Sequence, residues 1–292
     1  MTSTPPMPPS SMSLSTDLRA AHARSLTRRM LAGEGAVELT AYRAGEALSS
    51  AVHGVSRSGQ LVVADIPNLF HSLGAFHTAE DIEVRVDILK DAADHALNLR
   101  LASLHLLGTL RWCRDTQQVA ALGLQGRVAD LVHDVGPRVR VGVISTDRVL
   151  LHDCSGVTAH GAEIVAEAAT LGPSCEALAD AVLATAGDTL ADVADAVLDG
   201  DLPGWAEELE LPDATDLGVD PVHCVDVDPH CVTLARFSAD QGWVVQVPLP
   251  TSAPNAPARD LSAQGALAWD DVIASRRLVD SLRARRIGAL RP

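Results

Sequence analysis

From Asp81 to Leu89 the chain alternates, with Ile82, Val84, Val86 and Ile88 apolar and Glu83, Arg85 and Asp87 polar between them. A period of two predicts a half-buried antiparallel strand. Shorter β-like runs precede it at 36–42 (AVELTAY), 47–56 (ALSSAVHGVS) and 60–66 (QLVVADI), split by the turn signals Arg43-Ala44-Gly45 and Arg57-Ser58-Gly59. Strands joined so tightly predict an antiparallel meander. Residues 99–112 (LRLASLHLLGTLRW) predict a long strand, and 139–154 (VRVGVISTDRVLLHDC) predict two more around a Ser145-Thr146-Asp147 turn. So many strands with few helices between them favour a closed or nearly closed barrel, because closure removes exposed edges.

Helical spacing appears elsewhere. Leu14, Leu18, Ala21, Leu26 and Met30 predict an amphipathic helix from about residue 14 to 32. A short helix and loop is predicted over 68–81, bearing His71 and His77, and a helical piece over 116–132. At 170–176 the texture changes, and Glu176 to Leu198 predicts an uninterrupted Ala/Leu/Val/Asp helix stopped by Gly200, Pro203 and Gly204. PVHCVDV, CVTLARF and WVVQVPLP predict a three-stranded meander, followed by a Pro/Ser-rich loop (250–258) and a final helix. The expected fold class is α+β: a leader (1–15), an N-terminal antiparallel barrel with flanking helices (16–170), and a smaller C-terminal α+β domain (176–292).

Composition narrows the function. Hydrophobic residues make up 47% of the 292 positions but aromatics only 3%, so the core must be aliphatic. A net charge of −15 repels phosphate backbones and anionic lipid surfaces, which argues against nucleic acid or a membrane as the main partner. Two arginine clusters (Arg19, Arg24, Arg28, Arg29; Arg276, Arg277, Arg283, Arg285, Arg286) read as solvated helix faces, with an anion or partner site as the alternative. The proline-rich start lacks an apolar signal region, and no window approaches the roughly 18 apolar residues of a membrane span. Five cysteines, an odd number, point to free thiols in a reducing cytoplasm.

The order of these segments resembles a known family. The meander AVELTAY…ALSSAVHGVS…GQLVVADIPNLFHSL, the strands DIEVRVDIL and LRLASLHLLGTLRW, and VISTDRVLLHDCSGVTAHGAEIV resemble the split β-barrel of pyridoxamine-phosphate-oxidase-like flavin-binding proteins. The tail WVVQVPLP…DDVIASRRLVDSLRARR resembles the small domain that follows this barrel in haem-utilisation proteins. The resemblance implies a homodimer through the barrel, with FMN or haem in a groove between copies. It further implies Arg85 and Lys90, in RVDILK, as phosphate-binding candidates, and His71 and His77 beside the ligand groove. The chain departs from the pattern in two places. No histidine follows His230, where haem-degrading members carry an iron ligand, and residues 176–199 lack the Asn-Ala-Asp-His-like stretch of relatives. A non-catalytic relative that has lost its cofactor and serves as a binding or regulatory module is therefore the alternative.

Other candidates rest on residue chemistry. His53, His105, His152 and His160 are imidazoles able to ligate metal or haem. His152, Cys154 and His160 invite a thiolate–imidazole reading. HCVDVDPHC (223–231) has metal-ligand letters, but strand parity sends His223 and Cys224 to opposite faces, and likewise His230 and Cys231. With an Asp228-Pro229 loop, His223, Val225, Val227, His230, Val232 and Leu234 would share one face, so a metal there would require a bulge. The expected metal set is none.

Overall fold

A computed structural model describes residues 11–49, 51–67, 75–77, 81–97, 99–153, 156–171, 176–209, 222–228, 230–237, 241–249 and 269–274. The chain forms two compact units: residues 1–90 with 102–171, and residues 91–101 with 172–292. Both combine antiparallel sheet with helix, an α+β fold.

In the first unit helix α1 (Ser11–Leu31) begins earlier than its apolar spacing predicts. Ala23, Leu26, Met30 and Leu31 are buried at intervals that place them on one stripe, and they join the main core. The strands are β1 (Ala36–Ala41), β2 (Glu46–Leu48), β3 (Val52–Val55), β4 (Leu61–Asp65), β5 (Ile82–Asp91), β6 (Arg100–Trp112), β7 (Arg140–Ser145), β8 (Arg148–Asp153) and β9 (Gly156–Gly161). The run at 47–56, expected as one strand, is divided: β2 pairs with β1 and β3 pairs with β4.

The path β2-β1-β5-β6-β7-β4-β3 does not close among the described residues, and β8 and β9 branch from β6. Of the expected closed or nearly closed barrel, full closure is not seen among the described residues, and the path divides at β6. Its Ser103–Leu106 portion pairs with β8, and its Thr109–Trp112 portion pairs with β7. One long strand thus feeds two diverging branches instead of one continuous wall. Gly108 sits at the fork, where a Cβ would lie 2.5 Å from the Ser145 carbonyl oxygen, so any larger residue would push the branches apart. Nearby, the Thr146 hydroxyl donates to the Leu107 carbonyl at 2.8 Å and fixes the crossing between β7 and β8.

The remaining helices of this unit are α2 (Thr116–Leu122), α3 (Gly126–Val135) and α4 (Glu163–Ala168). The helix expected over 116–132 is split because Gly123 takes a left-handed φ of 61° and ends α2. Val128 of α3 packs with Val62, Ala64 and Val141, covering the second face of β4, which is why every residue of β4 is buried.

The second unit holds α5 (Glu176–Leu183), α6 (Gly187–Leu198), β10 (Trp205–Leu209), β11 (Val222–Val227), β12 (Cys231–Phe237) and β13 (Gly242–Pro248), in sheet order β10-β13-β12-β11. The expected uninterrupted helix breaks between α5 and α6, at Ala184 to Ala186. There the Thr185 hydroxyl turns back to the Ala181 carbonyl at 3.0 Å and accepts from the Trp269 indole N–H at 3.0 Å. The sheet has a fourth strand, β10, which its short charged sequence WAEEL conceals. Leu178, Val182, Val193 and Trp269 pack with Val232, Leu234 and Val245 to make this unit's core.

β11 carries a bulge between Cys224 and Asp226. Val227 pairs with Val232, and the Asp228 N–H donates to the Cys231 carbonyl, so the hairpin register differs from that of an Asp228-Pro229 loop. The expected shared face is corrected accordingly. Cys224, Val227, Val232 and Leu234 lie in one core, while Val225 joins Ala235 and Phe237 in another cluster. The open edge of β11 is satisfied within the unit: the N–H groups of Ala93 and Asp94 donate to Val225 and Cys224 carbonyls, both at 2.9 Å.

Candidate functional site

Of the four residues singled out by resemblance, Arg85 and Lys90 do not meet. Arg85 and Lys90 are five apart on a regularly paired strand, so they project from opposite faces of β5. Arg85 is half exposed and ion-pairs with Asp87 at 2.9 Å. Lys90 is 15% exposed and bonds Glu34 Oε2 at 2.7 Å, an oxygen that also receives Arg29 at 3.0 Å. His71 lies outside the described residues, and for His77 the described feature is a short 3₁₀ turn over 75–77.

The outward face of the first sheet holds a different set. Residues directly opposite on an antiparallel pair share a face, so the register defines rungs. One rung runs Ser103, His152, Val157 across β6, β8 and β9, and the next runs His105, Leu150, Ala159. Their inward neighbours Leu104, Leu151, Leu106 and Val149 are fully or almost fully buried in the core. Alternation therefore leaves the rungs facing outward, with Leu107 61% and Val157 64% exposed.

In the polar half of this face Ser103, His105, Asp87 and Arg85 are joined by hydrogen bonds. Asp87 Oδ1 lies 2.5 Å from His105 Nδ1 and receives Arg85 Nε at 3.0 Å. His105 Nε2 lies 3.0 Å from Ser103 Oγ. His152, exposed, meets the His105 ring edge-on with centroids 4.9 Å apart. The apolar half is formed by Leu150, Val157 and Ala159, and Arg148 of the following rung is also exposed. The face thus offers two imidazoles, exposed guanidinium groups and an apolar floor. The signal was present in the sequence: polar residues at alternate positions of LASLHLL and RVDIL mark one outward face, although pairing of β5 with β6 had to be seen.

The other histidines are accounted for differently. His53 is 3% exposed, its Nε2–H donates to the Met30 carbonyl at 2.6 Å, and burial pushes its pKa down to about 4. It is a neutral strut between β3 and α1. His160 pairs with inward-facing Val149, opposite in parity to His152, and burial followed by the charge of Arg24 pushes its pKa down. The thiolate–imidazole set is not assembled by its two described histidines, and Cys154 lies outside the described residues.

In the second unit His223 Nδ1–H donates to Asp94 at 2.7 Å, and its Nε2 is buried without a hydrogen-bond partner. Burial raises the Asp94 carboxyl, but the bonds from His223 and the Ala96 N–H outweigh it and hold it below the usual range. Cys231 Sγ donates to Asp228 at 3.3 Å, while His230 is exposed. Despite the bulge, the letters of HCVDVDPHC are dispersed. Among the described residues no group of three or more His, Cys, Asp or Glu side chains converges on a metal position. Among them, too, no helix is long and apolar enough to cross a membrane.

No family model and no curated protein matches the chain. Among solved structures it is similar to a haem-binding protein from Mycobacterium smegmatis, at 16% identity and a TM-score of 0.42, over 86% of this chain and 97% of that one. It is also similar to a protein of unknown function from Agrobacterium tumefaciens, at 14% identity and a TM-score of 0.33, over 87% of this chain and 94% of that one. A candidate general stress protein 26 from Jannaschia sp. CCS1 shows 14% identity and a TM-score of 0.33, over 47% of this chain and 81% of its own.

Proposed function

We propose that this protein is a haem-binding relative of the split-barrel flavin-binding proteins, cytoplasmic and homodimeric through its first unit. The observation that carries the reading is the outward face of that unit, where His152 stands beside an apolar floor of Leu150, Val157 and Ala159. A porphyrin needs apolar surface for the macrocycle, an imidazole for iron and cations for its carboxylates. His152 would hold the iron, with Arg85 and Arg148 available to the carboxylates. Haem, when bound, would supply an iron centre for redox chemistry or would itself be the cargo.

The same geometry favours haem over FMN. A flavin phosphate requires cations that meet, whereas Arg85 and Lys90 leave β5 on opposite faces and Lys90 is tied to Glu34. The absence of any histidine after His230 removes the iron ligand of haem-degrading relatives, which supports a ligand within the barrel instead.

The test is an absorbance titration of the purified chain with haemin and, separately, with FMN. A saturable red shift of the Soret band with haemin and no change in the flavin spectrum is expected. No shift with haemin would select the alternative, a cofactor-free binding or regulatory module. Sizing in solution tests the second part, and a monomer would overturn the dimer.

A further inference from the structure

The outward face also contains a hydrogen-bonded series for which haem binding has no use. Ser103 and His105 lie two apart on β6, so both point outward, and Asp87 reaches them from β5. His105 Nδ1 is 2.5 Å from Asp87 Oδ1, and His105 Nε2 is 3.0 Å from Ser103 Oγ. An ionised carboxylate only accepts, so Nδ1 carries the proton and Nε2 of the neutral ring is the acceptor. The Ser103 hydroxyl therefore donates to Nε2. Arg85 Nε reaches both oxygens of Asp87, which is 16% exposed, and so helps to orient the carboxylate.

Hydroxyl, imidazole and carboxylate in this order form the arrangement in which a serine attacks a carbonyl while a base removes its proton. We propose that the face, free of cofactor, hydrolyses small apolar acyl esters, with Ser103 as nucleophile, His105 as general base and Asp87 as positioning residue. The acyl class follows from the neighbours: Val157 and Leu150 would receive a short hydrocarbon chain. His152 lies directly opposite Ser103 across the ladder, where its ring N–H would serve as donor to a developing oxyanion.

In the first step Ser103 Oγ bonds to the ester carbon as its proton passes to His105 Nε2. The tetrahedral adduct collapses, the carbon–alkoxy bond breaks, and the alcohol leaves with that proton. Water then attacks the acyl-serine with the same base, releasing the acid and restoring the hydroxyl. One ester and one water give one acid and one alcohol, with no redox partner. Because oxyanion support comes from a side chain, the expected acceleration is that of general-base catalysis, on the order of 10²- to 10⁴-fold over buffer.

The experiment uses the full chain without haemin, with p-nitrophenyl butyrate as substrate and a fluorophosphonate probe mapped by peptide mass spectrometry. Saturable hydrolysis and a probe adduct on Ser103 are expected. Ser103→Ala and His105→Gln should fall to the buffer rate, and Asp87→Asn should lower kcat with KM unchanged. An unsubstituted chain that turns over at the buffer rate, a Ser103→Ala chain that keeps full turnover, or an adduct confined to other residues would each overturn the proposal. The adduct is read on the unsubstituted chain, so the outcome does not depend on how a variant folds. Ser103→Ala should still shift the Soret band, which separates failure here from failure of the haem reading.

Discussion

Among the described residues two pairs of the same kind, His105 with Asp87 in the first unit and His223 with Asp94 in the second, have opposite surroundings. Both join imidazole Nδ1 to a carboxylate, at 2.5 and 2.7 Å. On β6 the far nitrogen of the ring meets Ser103 on an open face; on β11 it is buried without a partner beside Phe237. The first pair leaves a basic nitrogen available to chemistry. The second spends its hydrogen bond on holding segment 91–101 against β11, where the Ala93 and Asp94 amides complete the sheet edge. What separates the two pairs is the surroundings of the second nitrogen, and the proposed chemistry rests on that difference.

A third imidazole sharpens the contrast and has the largest expected effect. His53 has no carboxylate, and burial lowers its pKa from 6.5 to about 4. The unfolded chain binds its proton more readily, so the stability from neutral His53 is fully present above pH 6.5 and is lost as pH falls toward 4. The loss is roughly 3 kcal/mol at about 1.4 kcal/mol per pH unit. Urea titrations of the intact chain and of His53→Gln across this range check it; equal pH dependence in both would refute the assignment.

Next in size is Asp94→Ala, which takes the Nδ1 bond from a ring whose Nε2 is already buried and unbonded, and should cost about 2 kcal/mol, the range for a hydrogen bond to a charged group. Asp87→Ala leaves the far nitrogen of its ring bonded to Ser103 and should cost less, about 1 kcal/mol. The same denaturation experiment compares them, and equal losses would erase the distinction between a structural and a functional pair. The smallest effect concerns Arg85, half exposed, whose replacement by Ala should weaken haemin binding by a few-fold, roughly 0.2 to 1 kcal/mol, with no change in the folding midpoint.

Much of the architecture was legible in period-two alternation. β5 was readable to within two residues at each end, because Ile82 through Ile88 alternate without interruption. The fork in β6 was not, since Gly108 reads as an ordinary strand glycine until the Ser145 carbonyl is seen against it. The bulge at Val225 was hidden for a related reason: register shifts depend on what the partner strand buries, and the run from Val222 to Val227 has no glycine to mark one. The site followed the same rule. Alternation placed Ser103 and His105 on one face, and parity would also have separated Arg85 from Lys90. The strand pairings lay beyond the letters: Asp87 reaches His105 from 18 positions away, and His152 stands opposite Ser103 through the β6–β8 register.

The most direct test of the outward face as the seat of function is a haemin titration of the unsubstituted chain beside His152→Ala and His230→Ala, read in the Soret region. His152 stands on the proposed floor, and His230 is an exposed imidazole in the other unit. Loss of the red shift in His152→Ala alone is the predicted result; an unchanged shift in that variant would contradict the assignment.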